Sequence, residues 1–72
     1  MYFDKSVIQV GDRVSVLYPE YAVGETGVVL EQETLQDGSQ TGYWLVRTEV
    51  EEMILALLPQ EMSVLTRVKE SV

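Results

Sequence analysis

Seventy-two residues suffice for one domain, and a chain of this size hides only roughly 60% of its unfolded surface on folding. With no cysteine and no histidine, disulfides, thiolate metal sites, thiol nucleophiles and imidazole acid–base pairs are excluded. Twelve acids against five bases leave a net charge of −7, a poor footing for binding phosphate backbones or anionic membranes, while 46% hydrophobic residues are enough to build a core.

Residues 1–9 read as a lead-in. Tyr2, Phe3, Val7 and Ile8 could cover one end of a core, with a frayed terminus as the alternative. Met1-Tyr2-Phe3-Asp4-Lys5 lacks the basic region and apolar stretch of a signal peptide. Val10-Gly11-Asp12 turns into Arg13 to Leu17, where polar and apolar residues alternate and Val14 and Val16 share a face, as in a half-buried strand. Tyr18-Pro19-Glu20-Tyr21 breaks this pattern, because proline has a fixed φ and no amide hydrogen. Gly24-Glu25-Thr26-Gly27 reads as a turn. It lacks the Lys-Ser/Thr ending of a phosphate loop, and Glu25 would repel phosphate. A second strand over Thr26 to Glu33 follows, turning polar at its end.

Leu35 to Gly42 is expected as a hairpin loop around Asp37-Gly38, a pair that tolerates left-handed backbone. Tyr43 to Thr48 is a third strand with Trp44 and Val46 on one face and Tyr43, Leu45 and Arg47 on the other. Residues 49–52 form a short acidic turn. Met53 to Leu58 is a fourth strand rather than a helix, since it is short and ends at Pro59. Leu58 to Met62 suits a single 3₁₀ turn, and Ser63 to Val68 closes as a fifth strand. The expected fold is all-β: a small five-stranded SH3-like barrel over residues 10–69, with a 3₁₀ turn before the last strand and a tail at 70–72. Closing the sheet in this way would remove exposed edges, which matters in a chain with little core.

Val10-Gly11-Asp12-Arg13-Val14-Ser15-Val16 followed by Gly24-Glu25-Thr26-Gly27-Val28-Val29 resembles the KOW-type start of small SH3-like barrels. Gly42-Tyr43-Trp44-Leu45-Val46-Arg47 is similar to the third strand of small cyanobacterial SH3-like proteins. The resemblance implies a compact, non-catalytic module that works by binding other proteins. KOW modules of translation and transcription proteins often bind RNA, which makes a nucleic acid or a ribosome or transcription complex the alternative partner. Here Lys5, Arg13, Arg47, Arg67 and Lys69 are scattered rather than clustered. A third reading comes from Val16-Leu17-Tyr18-Pro19-Glu20-Tyr21-Ala22, which looks like the aromatic motif of proline-peptide-binding SH3 domains, whose grooves stack on a polyproline helix.

No enzyme chemistry is expected. The serines lie outside any Gly-x-Ser-x-Gly elbow, and only carboxylates or lysine could serve as bases. Glu49, Glu51 and Glu52 are read as a solvated turn rather than a cation site, because the alternating acids and glycine of an EF-hand are missing. No cofactor or metal is expected. The apolar run Met53 to Leu58 is far too short to span a bilayer, so a cytoplasmic chain without membrane insertion is expected.

That run carries the functional expectation. As a strand it puts Met53, Leu55 and Leu57 on one side and Ile54, Ala56 and Leu58 on the other, yet a barrel has one inner face. We expect Met53, Leu55 and Leu57 to point outward, unless a terminus or a bulge buries them. With Tyr18, Tyr21, Tyr43 and Leu45 they would form a partner-binding patch. Glu49, Glu51, Glu52 and Glu61 would rim it and favour a basic protein partner. A homodimer through the same strand is a further reading. Alternation ties Trp44 to Val46 and leaves open whether the pair is core or surface.

Overall fold

In the computed structural model, residues 7–67 are described. The expectations for Tyr2, Phe3, Lys5, Val68, Lys69 and the 70–72 tail lie outside them. Five strands follow the expected order: β1 Arg13–Val16, β2 Thr26–Thr34, β3 Gln40–Thr48, β4 Ile54–Leu57 and β5 Met62–Thr66. A 3₁₀ turn at Pro59–Glu61 precedes β5, and a second at Glu20–Ala22 overlaps the end of the Tyr18–Tyr21 segment that the sequence left irregular. All pairings are antiparallel, in the order β4-β3-β2-β1-β5.

The sheet curls because one buried cluster draws on every strand. Val14 and Val16 of β1, Val29 of β2, Val46 of β3, Leu55 and Leu57 of β4, and Met62 and Val64 of β5 meet with Ile8 and Ala22. End strands could not share a core in a flat sheet, where neighbouring strands lie about 4.8 Å apart. The pairing is irregular at several points: the register of β2 against β3 shifts between Val29 and Glu31 and again between Gln32 and Thr34, and that of β1 against β5 shifts between Arg13 and Val14. Such bulges kink a strand and increase its twist. This is the all-β, five-stranded antiparallel arrangement, with a 3₁₀ turn before the last strand, expected from the sequence. Its hydrogen-bonded order stays open between β4 and β5 among the described residues. The Pro59–Glu61 turn connects β4 to β5 along the chain and is tied to the end of β1: the Glu61 carbonyl accepts from the Leu17 amide at 2.8 Å and the Tyr18 amide at 3.3 Å.

Two glycines have distinct physical roles. A Cβ on Gly27 would stand 2.7 Å from the Arg47 carbonyl oxygen and 2.8 Å from Val46 Cγ1, so β2 and β3 approach closely only because it has no side chain. Gly42 has φ 95° inside β3, a conformation that L side chains rarely adopt. The sequence placed it at the end of the hairpin loop. Thr34 instead pairs with Gln40, so the strand resumes earlier and Gly42 sits within it.

Asp12 and Arg13 are neighbours in the turn-and-strand motif and face opposite ways. Asp12 is fully buried. Its carboxylate accepts from Arg67 Nε at 2.9 Å and Nη2 at 3.0 Å, and from the Gln9 amide at 2.9 Å. Arg67 also donates to the Val7 carbonyl at 2.7 Å, so the chain beyond β5 is clamped to the segment before β1. Arg13 is exposed and donates to Glu49 through Nε at 2.9 Å and Nη2 at 3.0 Å.

Candidate functional site

The outer face of β2, β3 and β4 carries part of the exposed apolar surface. Strand register sets its rows: Val28, Arg47 and Ile54 lie side by side, and Leu45 lies between Glu31 and Ala56. Ile54 is 53% exposed and Ala56 is exposed, while Val28 and Leu45 are half-buried. Tyr43, at the same face of β3, is 37% exposed.

Two of the sequence-derived site residues are corrected. Leu55 is 7% exposed and Leu57 is fully buried, so both belong to the core and neither is open to a partner. The outward row of β4 is Ile54 and Ala56. The pairing with β3 decides this, because Val46 stands opposite Leu55 and Trp44 opposite Leu57. Trp44 is half-buried and packs against the core, which settles the pair with Val46 as inward-facing. Met53 is half-buried at the end of the turn. Its amide donates to Thr48 Oγ1 at 2.9 Å, and its carbonyl accepts from the Thr48 amide at 2.8 Å.

A usable signal for this phase was present. A four-residue turn, 49–52, places Thr48 opposite Met53, and counting back puts Val46 against Leu55. The turn length thus ties Leu55 and Leu57 to the face of Val46 and Trp44 and sets Ile54 and Ala56 on the other, while burial of Val46 in the folded chain decides which face is inside.

The expected tyrosines do not all join this face. Tyr18 is 60% and Tyr21 is 75% exposed, as is about half of Leu17, in the loop after β1. That loop is held to the Pro59–Glu61 turn, whereas Tyr43 and Leu45 lie on β3, two strands from β1 in the sheet. The expected single patch is therefore two: a sheet face with Tyr43 and Leu45, and a tyrosine loop.

Acids surround the β4 end of the face. Glu49, Glu51 and Glu52 are exposed in the turn before β4, where Glu52 adopts a left-handed φ of 59°. Glu49 is held by Arg13 and by the Thr26 hydroxyl, and these hydrogen bonds draw its carboxyl down to about 2 from an ordinary 4.5. Glu61 accepts from the Leu58 amide at 2.9 Å and caps the 3₁₀ turn. Glu51 and Glu52 are thus the rim acids best placed to meet another molecule. Among the described residues no group of three or more carboxylates is placed to hold a metal ion.

Beside the acidic turn lies an open depression lined by Val23, Gly24, Glu25, Thr26, Val50 and Glu51. Val50 is 88% exposed at its margin. Among the described residues no helix is long and apolar enough to cross a membrane. No protein-family model, curated protein or solved structure matches this chain.

Proposed function

We propose that this chain is a non-enzymatic interaction module that binds a partner protein through the outer face of β2–β4. The carrying observation is the row formed by Ile54 and Ala56 beside Leu45 and Tyr43, exposed apolar surface on an otherwise acidic chain. The exposed Glu51 and Glu52 favour a basic partner by long-range steering. Tyr18 and Tyr21 offer a second aromatic contact on the β1 side. The reading keeps the cytoplasmic setting expected from the sequence.

The charge distribution supports a protein rather than a nucleic acid as partner. Net charge is −7, and of the described cations Arg13 and Arg67 already hold carboxylates. Proline-peptide binding draws support only from Tyr18 and Tyr21, since Trp44 is turned toward the core.

The test is a double substitution, Ile54→Glu with Ala56→Glu. Both side chains point outward, so the melting temperature should change little while capture of partners from the native cell is lost. Unchanged capture by a folded double variant would remove the sheet face as the binding site.

A further inference from the structure

β4 ends the hydrogen-bonded order and pairs with β3 along one edge only, among the described residues. Which of its backbone groups are left over follows from the turn. The Thr48 amide bonds the Met53 carbonyl, and antiparallel ladders alternate bonded and non-bonded pairs. The next bonded pairs are therefore Val46 with Leu55 and Trp44 with Leu57. The amides and carbonyls of Ile54 and Ala56 point away from β3, along the open edge. Leu58 is in the same phase, and its amide is the one that Glu61 caps.

Natural sheets protect open edges with lysine, proline or inward-pointing charge. Ile54-Leu55-Ala56-Leu57 contains none of these. The residues with outward backbone groups are also those with exposed apolar side chains, Ile54 and Ala56. Glu51 and Glu52, both exposed, stand at the N-terminal end of this edge.

We infer that the β4 edge takes up an extended segment of another protein as a sixth strand, with alternate apolar side chains over Ile54 and Ala56 and a lysine or arginine cluster against Glu51 and Glu52. This deepens the interaction-module reading and rests on it. Main-chain bonds supply the affinity in such strand addition, and side-chain pockets and flanking charge supply the choice of segment. Charge complementarity selects the occupant. A second copy would bring another net −7 and set acidic turns against an acidic chain.

The test uses the full chain and a displayed library of random peptides about ten residues long, enough to run past both ends of β4 at ~3.4 Å per residue. Selection should enrich alternating β-branched or aromatic residues with Lys or Arg clustered at one end. A synthetic peptide of that consensus should shift the amide resonances of Ile54 and Ala56. Ala56→Pro removes an outward amide and no ladder bond, and should weaken binding by about tenfold or more. Glu51→Lys with Glu52→Lys should weaken it as well. Should Ala56→Pro disturb the fold, N-methylation of the peptide's β4-facing amides tests the same bonds on the unaltered protein and should abolish binding.

No enrichment, full binding to folded Ala56→Pro, or resonance shifts centred on Tyr18 and Tyr21 would overturn strand addition. Dimers that Ala56→Pro converts to monomers would place a second copy on the edge and overturn the assigned occupant. Binding lost in Ile54→Glu with Ala56→Glu but kept in Ala56→Pro would leave the interaction module standing and remove only the sixth strand.

Discussion

The two faces of one sheet treat adjacent residues in opposite ways. Asp12 turns inward and is held by a two-pronged bond from Arg67, while Arg13 turns outward and holds Glu49 in the same geometry. Leu55 and Leu57 fill the core, while Ile54 and Ala56 lie open beside them in β4. The bond lengths of the two ion pairs are alike, so distance does not set their importance. Solvent access does. A buried carboxylate has lost its hydration and depends on its partner, whereas an exposed pair competes with water and salt. The core leucines likewise hold the fold, and their outward neighbours are free for another purpose.

The sharpest way to break this contrast is Arg67→Met, which leaves Asp12 buried without its cation. A loss of about 3–5 kcal/mol is expected. At roughly 0.05–0.15 kcal/mol per residue a chain of this size holds about 4–11 kcal/mol in all, so the variant should lose a large share of its stability, read as a strongly lowered urea midpoint by circular dichroism. Adding Asp12→Asn should recover part of the loss, because the charge is gone and an amide oxygen can still accept from Gln9. Full stability in the single variant would mean that the clamp is dispensable.

Leu57→Ala and Ile54→Ala compare the two rows of β4 directly. The first should cost about 2–5 kcal/mol through lost burial and a residual cavity. The second should stay within about 0.5 kcal/mol, as for other surface changes. Equal effects in urea titration would show that the strand has no distinct sides.

Gly27→Ala tests the close approach of β2 and β3. The added methyl meets a backbone carbonyl, which cannot swing aside as a side-chain tip can, so destabilisation of about 1–3 kcal/mol is expected. An unchanged melting temperature would mean that the strands separate without cost.

The smallest effect belongs to the exposed pair. The carboxyl of Glu49 is lowered in the folded chain, so its contribution is complete above its ordinary value of 4.5 and is lost as pH falls toward about 2. The slope should be shallow and should flatten in high salt. Carboxyl-detected NMR should place the Glu49 midpoint near 2 and show it rising toward 4.5 in Arg13→Ala. A midpoint unmoved by that substitution would remove Arg13 as its cause.

Much of this architecture was readable in the chain. Val14 and Val16, Val29, and the Tyr43–Thr48 alternation each marked a strand, since period-two patterning is a local property of the backbone. The Asp37-Gly38 turn was legible for the same reason, with Gly38 at φ 90°. The site was half legible. Alternation divided Met53 to Leu58 into two rows but carried no label for inside and outside. An apolar run looks the same from either face, so the label had to come from β3 through the turn that joins them. Tyr18 and Tyr21 were recognised as exposed aromatics, but their separation from Tyr43 depends on strand order.

Composition and short-range pattern determined that this chain is an acidic, cysteine-free, five-stranded β domain, because turns and strands are specified by residues next to one another. Only the tertiary structure decided that Asp12 meets Arg67, that Gly27 lies against Val46, and that Ile54 rather than Leu55 faces outward. Those facts rest on pairings between residues far apart in the chain, where a shift of one position exchanges the buried and exposed rows.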